Sequence, residues 1–104
     1  MQTTHFAEVI LQQLGGNRFV AMTGASNFLF DDAASSLTFK VGKNAQKVTH
    51  VRIMVEPTDT YRVEFLRVRA GRNYRVETLR DDSTVFVDAL RRVFTAGTGL
   101  AVSL

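Results

Sequence analysis

The chain has no cysteine and no tryptophan, and its 104 residues include only one proline. Without cysteine it can form neither a disulfide framework nor a thiolate metal site, which suits the reducing cytoplasm. No apolar run approaches the roughly 20 residues that cross a bilayer. The first residues show no basic segment followed by an apolar one, so we expect no signal peptide. These absences predict a cytoplasmic protein without a membrane partner.

Motifs of known chemistry are missing too. Gly42-Lys43 is a fragment of a phosphate-binding P-loop, but that motif needs glycine at position 37 and serine or threonine at position 44. The chain has Leu37 and Asn44 there. The two histidines, His5 and His50, have no partners at ligand spacing. We therefore predict no enzyme activity, no metal and no cofactor, and we assign no catalytic residue.

The most regular pattern lies between residues 49 and 80, where apolar and polar residues alternate on both sides of a turn at residues 57–59. A three-residue turn places Arg52 opposite Glu64, a favourable cross-strand pair. A two-residue turn would mix the two faces of the hairpin. We therefore predict a hairpin with three opposed apolar pairs, Val55–Tyr61, Ile53–Val63 and Val51–Phe65.

A second hairpin is predicted directly after the first. Phe65 and Leu66 are consecutive apolar residues, a pattern typical of a β-bulge. Residues 71–73 (Gly-Arg-Asn) supply the next turn. The register that follows from this turn pairs Val68 with Tyr74.

Before these hairpins, a helix is predicted from Thr4 to about Leu14, with one apolar stripe facing the core. Residues 15–17 (Gly-Gly-Asn) end it. A glycine pair can also cradle an anion, but a helix stop is the preferred interpretation. Residues 18–25 alternate as a strand, in which Gly24 marks a bulge or a close backbone approach.

Residues 27–30 extend that strand, a polar turn follows at residues 31–36, and residues 37–41 return as the next strand. Near the other end of the chain, residues 81–83 (Asp-Asp-Ser) predict the start of a last helix. Its apolar stripe contains Phe86, Leu90 and Phe94, and Gly97 and Gly99 end it. The predicted core is Phe6, Ile10, Phe39, Ile53, Val63, Phe65, Val76, Phe86, Leu90 and Phe94.

The elements together predict a single α+β domain over residues 1–104. We expect an N-terminal helix, a four- to five-stranded antiparallel sheet and a C-terminal helix, with both helices on one face of the sheet.

Arginine is concentrated in the second hairpin, which has six arginines against two glutamates between Arg62 and Arg80. The predicted register sets Arg67 opposite Arg75, and like charges in such positions destabilise a hairpin. A bound anion would relieve the repulsion, whereas a preference for arginine on solvated sheet faces explains the composition without a ligand. We predict a nucleic-acid-binding patch on one outer face, formed by Arg52, Arg62, Arg67, Arg69 and Arg75.

Residues 14–25 (LGGNRFVAMTGA), with residues 37–40 (LTFK) and 98–100 (TGL), resemble small proteins encoded by bacteriophages and mobile elements. The resemblance implies a phage or prophage origin and the host cytoplasm. It assigns no activity and no functional residue. DNA or RNA is therefore the first expected partner, and a host or phage protein bound through a sheet edge, Met22 or Met54 is the alternative.

Overall fold

A computed structural model describes residues 3–31, 33, 35–58, 60–69, 71 and 75–100, with side chains from residue 9 onward. Three helices, five strands and a short 3₁₀ turn before the last helix follow one another in the described ranges. The elements are α1 (Thr3–Leu14), α2 (Gly16–Thr23), β1 (Ser26–Asp31), β2 (Ser36–Lys40), β3 (His50–Val55), β4 (Tyr61–Arg69), β5 (Arg75–Val85), the 3₁₀ turn (Val87–Ala89) and α3 (Leu90–Thr98). The strands form one antiparallel sheet in the order β1-β2-β3-β4-β5, so the predicted α+β fold is confirmed.

The helices cover one face of the sheet and meet it through phenylalanine rings. Phe19 of α2 packs edge-on against Phe39 of β2, with ring centroids 5.6 Å apart. Phe94 of α3 lies 5.1 Å from the same Phe19 ring. All three side chains are fully buried. The other face of the sheet is left without a helix in the described part of the chain, and we call it the open face.

Most of the predicted core is confirmed, with two errors. Val76 is 49% exposed and Phe86 is 62% exposed, so neither belongs to the core. The Phe6 side chain lies outside the described residues. The predicted residues that are fully buried are Ile10, Phe39, Ile53, Val63, Phe65, Leu90 and Phe94.

The β3–β4 hairpin has the predicted register in every pair. Val55 lies opposite Tyr61, and Arg52 lies opposite Glu64. The register follows from burial, because a slip by one residue would expose the apolar set of both strands.

The strand predicted at residues 18–25 is wrong, because this segment forms α2. Gly16, Phe19 and Thr23 have helical spacing and are buried, and the Thr23 hydroxyl donates to the Phe19 carbonyl at 2.7 Å. Gly24 has a left-handed backbone (φ 70°) and caps the helix instead of forming a bulge. The alternative prediction, a close backbone approach, is confirmed, because a Cβ atom there would lie 3.3 Å from the Gly42 backbone. Gly15, with φ 130°, separates α1 from α2, so the predicted stop of the first helix is confirmed.

The predicted start of the last helix at residues 81–83 is also wrong. These residues belong to β5, which continues to Val85, and α3 begins only at Leu90. Contacts outside the local pattern hold this segment: Asp81 pairs with Arg62, and the Thr84 amide donates to the Glu56 carboxylate at 2.9 Å. Gly97 does not end α3 but lies inside it, where α3 approaches the sheet, and Gly99 is the cap.

The predicted register of the second hairpin is wrong by two residues. Val68 pairs with Val76, Arg67 pairs with Glu77, and Arg69 pairs with Arg75. The connection therefore contains residues 70–74, and Tyr74 lies outside the described residues. The bulge predicted at Phe65 and Leu66 of β4 is wrong in its strand, because Phe65 pairs with Arg80 while Leu66 pairs with Thr78. The extra residue is thus Leu79 of β5.

Candidate nucleic-acid interface

The five predicted arginines do not share one face. Phe65 points to the helices, and β4 contains no inserted residue in its pairing with either neighbour. Side chains alternate along a strand, so Arg67 and Arg69 lie on the helix-covered face. Arg75 lies there too, because it pairs with Arg69. Arg52 and Arg62 lie on the open face, and the prediction of a common face is wrong.

The two arginines of the open face are neutralised by carboxylates. Arg62 binds Asp81 through two hydrogen bonds, one of them 3.0 Å long from Nε to Oδ1. This bond lowers the pKa of Asp81 and raises that of Arg62. Arg52 lies 3.9 Å from Glu64, which also lies 4.0 Å from Arg62. The group has as many carboxylates as guanidinium ions and offers little attraction to an anion.

The three arginines of the helix-covered face have less compensation. Arg69 lies 3.7 Å from Glu77, and Glu77 also pairs with Arg67 across the strands. Arg75, which is exposed, stands opposite Arg69. Among the described residues neither Arg67 nor Arg75 forms an ion pair within 4.0 Å. Three guanidinium groups therefore share one carboxylate.

The sheet has a basic end and an acidic end. At one end, β2 and β4 finish while β3 and β5 begin. The described cations of this basic end outnumber its one described carboxylate, Glu77, by six to one. They are Lys40, Lys43, Lys47, Arg67, Arg69 and Arg75.

The acidic end lies where β1 and β3 finish and β5 approaches its last residue. Its carboxylates are Asp31, Glu56, Asp81 and Asp82. Two arginines lie among them: Arg62 on Asp81, and Arg80 on Asp82 at 2.8 Å. Charge is therefore separated along the strands rather than between the faces of the sheet.

The loop at residues 41–49 holds two of the lysines on an ordered backbone. The Asn44 side chain donates to the Val48 carbonyl at 2.7 Å and accepts from the Val48 amide at 3.0 Å. Val41 and Val48 are buried, whereas Lys43 and Lys47 are exposed. The loop thus presents two ammonium groups while its apolar side chains anchor it to the core.

Thr49 ties this loop to the end of β4. Its amide donates to the Leu66 carbonyl at 2.9 Å, and its hydroxyl accepts from the Val68 amide at 2.7 Å. These bonds fix the backbone on both sides of Arg67. Beside them the His50 Nδ1 atom lies 2.9 Å from the Thr49 hydroxyl. Burial, and secondly the charge of Lys40, lower the pKa of His50.

Sequence reasoning placed three of the arginines together but left the lysines out. Residues 42–48 are recognisably basic, yet the contribution of this loop depends on which strand ends are neighbours. The topology supplied that information, because β2, β3, β4 and β5 are consecutive in the sheet. Arg72 follows β4 in the sequence and lies outside the described residues.

Comparisons of the chain with protein-family models, with curated proteins and with solved structures found no match. No helix in the described ranges is long and apolar enough to cross a membrane. Within the same ranges, no three histidine or acidic side chains are grouped so that they could hold a metal ion.

Proposed function

We propose that this protein binds nucleic acid, and that the basic end of the sheet contacts the phosphate backbone. The observation that supports the proposal is the separation of charge along the strands, with six cations to one carboxylate at the basic end. Folding does not require this arrangement, because interspersed charges would solvate the sheet equally well. A polyanion would gain affinity there through the release of its counterions.

The proposal narrows the predicted arginine patch. Arg67, Arg69 and Arg75 remain candidate phosphate contacts, together with the lysines of the basic end. Arg52 and Arg62 are held by carboxylates on the open face, so we assign them a structural role first. A ligand would have to compete with Asp81 for the Arg62 guanidinium.

The contact proposed is with phosphates rather than with stacked bases. Proteins that bind single strands usually offer exposed aromatic side chains. Among the described aromatic residues, Phe86 is exposed but lies near the acidic end, and the Phe28 ring packs 5.4 Å from Phe39. Phosphate contacts alone predict binding with little sequence preference and a steep dependence on salt.

Fluorescence anisotropy tests the proposal with labelled single- and double-stranded DNA and RNA over a salt series. The double variant Lys43→Gln/Lys47→Gln should weaken binding and lower the log–log salt slope by about one to two units. The matched control is Arg18→Gln/Arg92→Gln. It removes the same charge from exposed positions near the starts of α2 and α3, and neither residue is among the six cations of the basic end.

If both variants lose affinity equally, the effect comes from net charge and not from the basic end. An absence of binding at low salt would refute the proposal.

Docking onto a host or phage protein is the competing function. Met22 and Met54 are both half-buried, so neither offers a free apolar anchor. A protein recovered from host lysate both with and without nuclease would favour docking. Together with nucleic-acid binding we propose a phage or prophage origin, which the sequence resemblance implies.

A further inference from the structure

Strand β5 is a long edge of the sheet. It spans Arg75–Val85, and in the described part of the chain it pairs only with β4. An edge of this length presents unpaired amide and carbonyl groups that another strand can use. Val76 and Leu79 on this strand are 49% and 44% exposed.

The charges on one face of β5 alternate in sign. Residues that pair with alternate residues of β4 share a face, so Arg75, Glu77, Arg80 and Asp82 all lie on the side of the helices. Read along the strand, their charges are positive, negative, positive and negative. When all four charges are paired, this order is complementary to itself only if the two strands run in opposite directions.

We propose that two copies of this chain associate through their β5 strands, paired antiparallel, to form a continuous ten-stranded sheet. Arg75 of each copy then lies opposite Asp82 of the second copy, and Glu77 lies opposite Arg80. Thr78 lies on the two-fold axis, opposite its own equivalent. A parallel arrangement would set equal charges side by side.

The extra residue Leu79 is what makes this register consistent. Without it, Arg75 and Asp82 would lie on opposite faces of the strand, because they are seven residues apart. With one inserted residue they share a face, as their partners Arg69 and Val63 do. Since both copies contain the same insertion, the pairing resumes identically on either side of the axis.

Two features of the single chain also fit this pairing. Arg75 stands opposite Arg69, and a carboxylate from the second copy would offset that repulsion. The exposed Val76 would be covered by the added strand. The inference does not rest on nucleic-acid binding, because it uses only contacts between two copies of the chain and is tested by their association.

Single cysteines test the register directly, since the natural chain has none. In the full-length variant Thr78→Cys, the two sulfurs would meet at the axis, where opposed Cα atoms are about 4.5–5.5 Å apart, within the range of a disulfide. Mild oxidation should yield a covalent dimer. In the control Ser83→Cys the two equivalent residues would be about 25 Å apart and should not cross-link.

Charge reversal supplies a second test that does not depend on oxidation. Arg75→Asp and Asp82→Arg should each weaken dimerisation by about tenfold, measured by sedimentation equilibrium. A mixture of the two variants should form a heterodimer about as well as the natural chain pairs with itself, because both inter-copy contacts are then attractive. A natural chain that is monomeric at high concentration would overturn the inference. Equal cross-linking of the Thr78→Cys and Ser83→Cys variants would overturn it as well. A dimer that the mixture fails to restore would do so too.

Discussion

The two hairpins of this sheet share strand β4 but differ in what determines them. The β3–β4 hairpin has Val51, Ile53, Val63 and Phe65 fully buried beneath the helices. The β4–β5 hairpin contains two register irregularities and exposes most of β5. Burial fixes the first hairpin, whereas ion pairs and one remote hydrogen bond shape the second. We conclude that the first hairpin is held by its buried side chains, whereas the second leaves most of β5 exposed.

One substitution made in both hairpins tests that difference most directly. Val51→Ala, on a strand that belongs only to the first hairpin, removes fully buried methyl groups and should lower the free energy of unfolding by about 2–3 kcal/mol, because a cavity remains. Val76→Ala, at a half-exposed position, should change it by less than about 0.5 kcal/mol. Urea unfolding of dilute protein measures both values. Equal losses would show that the second hairpin also contributes to the core.

The contact between α3 and the first hairpin should be nearly as sensitive. A Cβ atom at position 97 would overlap the fully buried Phe65 ring. Gly97→Ala should therefore destabilise the protein by about 2 kcal/mol, although alanine favours helix. Phe65→Leu in the same chain should recover part of that loss. If Gly97→Ala is stabilising, α3 does not approach the sheet as closely as described.

A smaller effect is expected where the first hairpin holds the second in place. The Glu56 carboxylate accepts hydrogen bonds from the Thr60 hydroxyl at 2.7 Å and from the Thr84 amide at 2.9 Å. Glu56→Ala should cost about 1–2 kcal/mol. The matched variant Glu77→Ala removes a half-exposed carboxylate that lies 3.7 Å from Arg69, and in dilute protein it should cost less than about 1 kcal/mol. Thermal or urea unfolding of both variants checks the order, and the reverse order would contradict it.

The smallest predicted effect is a dependence of stability on pH at His50. Its pKa in the folded protein lies below the ordinary value of 6.5, so the unfolded chain takes up the proton first as the pH falls. Stability should therefore be retained above pH 6.5 and decline between that value and the lower folded pKa. In His50→Gln this decline should be absent when unfolding midpoints at pH 7.5 and 5.5 are compared. A decline of the same size in the variant would assign it to other groups.

The sequence predicted those parts of the fold in which local pattern and burial agree. In β3 and β4 the alternation of apolar residues sufficed for the register. In α2 it misled, because Phe19 and Thr23 satisfy both strand and helix spacing over only eight residues. Residues 81–83 have the composition of a helix cap, but their partners Arg62 and Arg80 hold Asp81 and Asp82 on a strand.

The candidate site was predicted only in part for a related reason. Arg67, Arg69 and Arg75 are close in the sequence, and a hairpin brings them together in almost any register. Lys43 and Lys47 approach them only through the order of the strands and the anchoring of Thr49, which no local pattern encodes. The predicted cross-strand pairing of Arg67 with Arg75 is wrong because the connection between β4 and β5 is longer than three residues.

The separation of charge along the strands also gives the described part of the sheet a permanent electric dipole. A polyanion at a distance of about one Debye length, ~10 Å at moderate salt, would exert a torque on such a molecule. The protein would then reach the polyanion with its basic end already turned forward, which raises the fraction of collisions that are productive. Two copies joined through antiparallel β5 strands would have opposed dipoles that cancel. Orientation in the field of a polyanion is thus a property of the single chain, and it would be lost on pairing.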